Sequence, residues 1–469
     1  MVFSSIEFLA LFLPLFFIAY VATPSGARNA TLCLGSWMFY AWWKPIFLLL
    51  IIGVTFVAWF LGRAIGRAEK QGDDRRERWL LAGGIVAVLA CLGWFKYANL
   101  LVHTADAGLL ALRIAPLPWT NIILPIALSF TVLQAVSYLI DVRRRTVAAE
   151  PSFVSFAAYL DMFPHLIAGP IIRYSWVDKA LIERQLTFED MSIGARRFMI
   201  GFAVKVLIAD TLAPVVEAAF DLAHPSFVDA WLGNICFAFQ IFFDFAGYSA
   251  MAIGLGRMLG FKYPENFRDP YLALTIQDFW RRWHISLSSW LRDYLYISLG
   301  GNRHGDVRTY TNLLLTMAIG GLWHGASWSF LLWGVIHGAA LAVARFWHQR
   351  GLWMTAWLAY PLTLLTVLFA WTPFRATSWG GTLAMLSGQI GRNGFAMSDQ
   401  MILVMRPLLW LWMGIAFAVV FWPAVKVRFF PRFESGGEWW EALWPIAVFL
   451  YAIAVMMGHQ TVPFLYFQF

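Results

Sequence analysis

Charge is scarce in this chain. Only 13% of its 469 residues are Asp, Glu, Lys or Arg, where a soluble domain carries roughly 25%. With 60% hydrophobic residues and a mean hydropathy of +0.64, it has too little polar surface to cover a water-facing domain. Cysteine is scarce too. Cys33, Cys91 and Cys236 all lie inside apolar runs, which argues against a disulfide framework or a zinc site and reads as small buried thiols. No phosphate-cradling glycine loop, His-Glu-x-x-His pair or Gly-x-Ser-x-Gly elbow occurs, and no metal site is expected. Twin interrupted helices with matching ion-binding sequence, as many transporters carry, are missing, as are fixed-period repeats and low-complexity linkers. The net charge of +8 does not point to nucleic acid, because the basic residues sit between apolar segments, as cytoplasmic loops do.

What is present is a succession of apolar runs near the length of about 20 residues that crosses a bilayer. Candidate spans are residues 6–22, 45–61, 79–97, 122–140, 198–222, 229–256, 309–325, 326–346, 352–371, 402–423 and 438–458, with 30–43 a further span or a half-helix. The first run has no charged leader before it, since the first basic residue is Arg28; it reads as a retained span rather than a cleavable signal. The expected fold is all-α: one polytopic membrane domain over 1–469, with about 11 spanning helices.

Basic connections orient the spans. Residues 63–78, 141–150 and 262–308, the Arg345–Arg350 turn, and Lys426, Arg428 and Arg432 read cytoplasmic. Residues 103–121, 372–401 and the tail Thr461–Phe469 read outside. The stretch 150–197 then begins and ends in the cytoplasm, so its apolar segment 152–172 must enter and return. That segment holds Asp161, Pro164, His165, Gly169 and Pro170. Irregular backbone survives at membrane depth only where protein or a water-filled cavity satisfies it, so a re-entrant element is expected. Residues 262–308 interleave Trp280, Trp283, Trp290, Tyr294 and Tyr296 with arginines. They read as short helices at, or dipping below, the cytoplasmic interface.

Ionisable groups kept in such a chain are candidates for chemistry. His324, in Gly320-Gly321-Leu322-Trp323-His324-Gly325-Ala326-Ser327, lies between two long apolar runs. An imidazole titrates near neutral pH and suits a general base; the plainer alternative is a hydrogen-bonded structural histidine. His284 ends Trp280-Arg281-Arg282-Trp283-His284 and, on a continuing helix, stands four residues beyond Trp280. Arg281 and Arg282 suit a phosphate-bearing donor or, alternatively, lipid headgroups. Asp278 is expected to pair with one of them. Trp283 and Trp323, next to the two histidines, are read as supporting residues. Asp244 interrupts an aromatic span and must be paired or neutralised; it either orients a histidine or pairs with Arg257 or Arg268. His165 reads as a core hydrogen-bonder. His337, in Trp333-Gly334-Val335-Ile336-His337-Gly338, can approach His324 or the acceptor path.

Together these motifs resemble the membrane-bound O-acyltransferase superfamily, and within it the bacterial alginate O-acetyltransferase branch. The resemblance runs through Tyr138-Leu139-Ile140-Asp141-Val142, Pro164-His165-Leu166-Ile167-Ala168-Gly169-Pro170, Asp244-Phe245-Ala246-Gly247-Tyr248-Ser249, Phe279-Trp280-Arg281-Arg282-Trp283-His284-Ile285-Ser286, Leu299-Gly300-Gly301-Asn302-Arg303 and Gly321-Leu322-Trp323-His324-Gly325. It covers most of the chain to about residue 340 and fades beyond. Ala250-Met251-Ala252, where an acidic residue is expected at 250, and Thr131-Val132-Leu133-Gln134 depart from the pattern.

The resemblance implies re-entrant and interfacial helices around a central tunnel, with His324 catalytic within it and His284 the second signature histidine on the cytoplasmic side. It implies no bound cofactor, with acetyl-CoA or another acetyl thioester as co-substrate. It further implies the bacterial inner membrane, periplasmic partners with a serine-hydrolase-like (SGNH) fold, and an exopolysaccharide synthesis and export complex. The expected activity is acetyl transfer for O-acetylation of an exported polysaccharide, alginate or cellulose. The alternatives are D-alanyl or acetyl transfer to teichoic acid or peptidoglycan, and a transporter or structural export subunit.

Overall fold

A computed structural model describes residues 1–429, 438–458 and 464–465. Arg432, read as cytoplasmic, and all of the expected outer tail Thr461–Phe469 except Phe464 and Leu465 lie outside the described residues. Every regular element among the described residues is a helix. This is what a bilayer demands, since a helix satisfies its own backbone polar groups within the segment.

By length and composition, seven helices suffice to cross a membrane: Pro45–Lys70, Asp74–Ala111, Phe188–Asp221, Phe227–Met258, Trp328–Gln349, Ala356–Arg375 and Pro407–Ala424. Glu7–Ala22 and Leu443–Gly458 are shorter apolar helices. Burial ranks them. The most apolar window of Phe227–Met258 is 78% buried and that of Pro407–Ala424 only 11%, so the former is a core helix and the latter lies at the periphery. The chain is a multi-pass membrane protein.

The described residues form two compact units, Met1–Ala195 with Ala252–Pro264, and Arg196–Met251 with Glu265–Phe469. In the first, residues 152–172 fold as two short helices, Phe153–Leu160 and Phe163–Leu166, buried among their neighbours from Phe156 onward. The Asp161 carboxylate there accepts from Trp37 Nε1 (2.8 Å) and Thr55 Oγ1 (2.7 Å). His165 Nδ1 lies 3.3 Å from the Tyr263 hydroxyl, the core role read for it. The expected 122–140 span starts late. Its helix is Leu128–Arg143, preceded by Ala127 in the left-handed region at φ 73°. The helix before it runs on to Ala111, far past the expected end at 97.

In the second unit, Gly305–His324 and Trp328–Gln349 form a tight hairpin. Lipid offers no hydrophobic drive between helices, so close packing relies on small residues. A Cβ at Gly321 would stand 2.2 Å from the Phe330 carbonyl oxygen, and one at Gly334 would stand 2.3 Å from that of Met317. Only glycine lets the two backbones meet there. Ser327 then caps the second helix, its Oγ accepting from the Phe330 N–H at 3.4 Å. The hairpin fixes both His324, at the end of one helix, and His337, three turns into the other.

Candidate active site

The two histidines and the residues around them belong to the second unit. Thr275 caps the helix Ile276–Arg282, accepting from the Asp278 N–H at 3.1 Å. That helix stops two residues before His284. Trp283 is extended and His284 is left-handed, at φ 42° and ψ 56°, before Ile285–Trp290 begins. The helix does not continue, so the one-turn spacing from Trp280 to His284 that a continuing helix would give does not arise. The break is held from outside: the Arg268 N–H donates to the Arg282 carbonyl (3.0 Å) and the Ile285 N–H to the Asn266 carbonyl (2.9 Å). A non-glycine residue in that region carries strain and persists where its surroundings over-determine it.

Asn266 is the over-determining residue, and sequence reading missed it. Its Oδ1 accepts from the Ser286 N–H (3.1 Å), from Ser286 Oγ (2.9 Å) and from His284 Nδ1 (3.2 Å), while its Nδ2 donates to Ser249 Oγ (3.0 Å). The backbone N–H of Ser286 can only donate, so the amide orientation is settled. His284 Nδ1 is then the protonated nitrogen and Nε2 the basic one. His284 lies outside the spanning helices, and burial pushes its imidazole well below the ordinary value, to about 3.

The rings of His284 and His324 stand 6.4 Å apart, at 59° to one another. His324 is walled by Trp323 (5.0 Å), Trp333 (5.0 Å) and Phe374 (5.3 Å), and His284 by Phe245 (4.6 Å). Trp323 touches both histidines, and Trp283 stacks on Phe279 and meets Trp371 at 5.0 Å. The fold thus brings together two imidazoles, placed 40 residues apart in sequence, inside an aromatic enclosure. Such surroundings limit competing reaction with water.

The remaining candidates are distributed around this pair. Asp278 accepts from Arg282 Nε at 2.9 Å, which leaves Arg281, exposed on the same turn, as the cation facing outward. His337 is fully buried against Trp280 and Trp333. Asp244 pairs with neither Arg257 nor Arg268. Arg257 instead bonds Asp190 (2.8 Å), and Asp244 faces Lys205 Nζ (3.6 Å) and accepts from the Leu465 N–H (2.9 Å). Lys205 also pairs with Asp210. A buried lysine thus answers the buried carboxylate, and among the described residues Asp244 makes no direct hydrogen bond to a histidine.

Comparison with known proteins places the chain in a family. Residues 70–386 match the model of MBOAT, the membrane-bound O-acyltransferase family. The chain is 45% identical to a probable alginate O-acetylase of Azotobacter vinelandii over 400 residues, 85% of this chain and 80% of that one. It is 47% identical to one from Pseudomonas syringae pv. tomato over 380 residues, covering 80% and 72%. With a peptidoglycan O-acetyltransferase of Helicobacter pylori it shares 35% over 434 residues, covering 85% and 81%. On these matches an acyltransferase takes the place of the transporter and structural-subunit alternatives, and the chain belongs to the membrane-bound O-acyltransferase family.

Proposed function

We propose that this protein moves an acetyl group from a cytoplasmic thioester, acetyl-CoA or a carrier-bound equivalent, across the bacterial inner membrane for O-acetylation of an exported polysaccharide. The observation that carries the reading is the His284–His324 pair, 6.4 Å apart in an aromatic enclosure, in a chain whose relatives are named as alginate O-acetylases. His324 takes the proton of the attacking hydroxyl as the new C–O bond forms on the acetyl carbon. The C–S bond breaks, and the proton passes to the leaving thiolate. His284, held by Asn266 with Nε2 unprotonated, positions the thioester donor or assists the attack on it. Arg281, with Arg282 braced by Asp278, attracts the anionic end of the donor at the cytoplasmic face. The acceptor is a sugar hydroxyl reached through a periplasmic SGNH-type partner.

A second reading, acetyl transfer to peptidoglycan, is favoured by the Helicobacter pylori relative. One experiment separates the two. Base-labile acetyl esters are measured on exported polysaccharide and on purified peptidoglycan, in cells lacking the protein and in cells with it restored. Loss confined to the exported polymer supports the first reading. Loss confined to peptidoglycan supports the second, and loss from neither refutes both.

A further inference from the structure

A cavity of about 180 Å³ opens within the second unit and shares no residue with the enclosure of the two histidines. Its walls come from the helices Phe188–Asp221 and Phe227–Met258, from Val419 and Val420 of the peripheral helix Pro407–Phe429, and from the turn Pro270–Leu272. Among the described residues that line it, only Asp269 carries a charge. The Tyr271 hydroxyl is taken up in donating to the Ala238 carbonyl (2.7 Å). Ala250, where the resemblance leads one to expect an acid, is part of the wall. An acid there would add a second charge; alanine keeps the wall apolar.

An apolar cavity of about 150 Å³ stays dry and takes a benzene-sized hydrocarbon, so this one suits hydrocarbon rather than water. Bilayer hydrocarbon can reach it, because Val419 at its edge is 45% exposed on a helix whose apolar window is only 11% buried. The rim says which lipid enters. Arg268 and Asp269 are adjacent and exposed, in the stretch 262–308 that reads as the cytoplasmic interface. Asp269 is left-handed, at φ 47° and ψ 57°. Neither side chain makes an ion pair or hydrogen bond to the described residues. A guanidinium suits a phosphate by charge and fork geometry, and a carboxylate accepts from an ammonium. The pair complements a headgroup that carries both.

We propose that the cavity holds an acyl-chain segment of a zwitterionic, amine-bearing phospholipid of the cytoplasmic leaflet, its ammonium on Asp269 and its phosphate on Arg268. The site backs onto the candidate chemistry. Phe242 and Tyr271 of its wall stand 6.3 and 6.1 Å from Trp283, and the Arg268 N–H donates to the Arg282 carbonyl at 3.0 Å. A filled cavity therefore braces the segment that sets the break at His284. The site stands whether or not the protein transfers acetyl, so the experiment reads lipid and not activity.

The test is native mass spectrometry of the full chain extracted from vesicles of equal phosphatidylethanolamine and phosphatidylglycerol. The wild type is expected to retain phosphatidylethanolamine over phosphatidylglycerol by about threefold to fivefold, the scale of one solvated ion pair. Asp269→Asn should abolish the preference and still retain lipid. Ala250→Leu, which fills the cavity, should retain several-fold less of either lipid. Thermal unfolding in detergent shows whether that variant folds, and the surface change Asp269→Asn carries the test alone where it does not. No retained lipid in the wild type, equal retention of the two lipids, or a preference unchanged in Asp269→Asn would overturn the site. So would full retention in folded Ala250→Leu, or a dimer that Ala250→Leu disrupts, which would assign the face to a second copy of the chain.

Discussion

The Oδ1 of Asn266 accepts from His284 Nδ1 at 3.2 Å and thereby decides which nitrogen of His284 is basic. The same oxygen takes both Ser286 donors, so one amide sets the tautomer, the ring orientation and the start of the helix Ile285–Trp290. Asn266→Ala should lower acetyl transfer by about 10- to 100-fold, the scale of one buried partner set lost. Ser249→Ala removes a single bond to the far side of the amide and should cost several-fold less. Rates in membranes with matched protein levels check both; equal effects would remove Asn266 from the account.

The hairpin that holds His324 depends on glycine. Gly334→Ala places a Cβ against the Met317 carbonyl oxygen at 2.3 Å, and overpacking of this kind costs about 1–3 kcal/mol. The variant should melt earlier in detergent and lose activity, because the displaced helices carry His324 and His337. Gly83→Ala, where a Cβ meets nothing within 4 Å, is the control and should leave both readouts unchanged.

Lys205 is almost fully buried between Asp210 and Asp244. Removing the cation alone strands two carboxylates. Lys205→Met should therefore destabilise by about 3–5 kcal/mol. Neutralising both carboxylates in the same chain (Asp210→Asn with Asp244→Asn) should recover most of that loss. Thermal unfolding of the single and triple variants tests it, and additive effects would rule out the coupling.

Arg281 is exposed and Arg282 is braced by Asp278. Arg281→Gln should raise the KM for the acetyl donor with little change in kcat, and raised ionic strength should weaken the wild type toward it. A fall in kcat at unchanged KM would place Arg281 elsewhere in the cycle.

The span-rich, all-helical character was legible because long apolar runs admit little else in a bilayer. His324 stood out for the same reason, as an imidazole between two such runs. Other features left no local trace. Nothing in Trp280-Arg281-Arg282-Trp283-His284 marks the helix end, with no proline or glycine to break it; the break is imposed by Asn266 and Arg268 from a separate segment. Asn266 itself sits in an interfacial stretch where a polar residue draws no notice. Asp244 was matched to the arginines nearest in sequence, whereas helix packing brings it Lys205, 39 residues earlier. Ala127 ended the helix-like reading of 122–140 through a left-handed backbone that its side chain does not advertise.

The central claim is that His324 performs the chemistry. The most direct measurement is the acetyl ester content of the exported polysaccharide from cells carrying wild type or His324→Ala at matched membrane levels. The account predicts loss of acetyl with polymer output intact. Normal acetylation in the variant would contradict it.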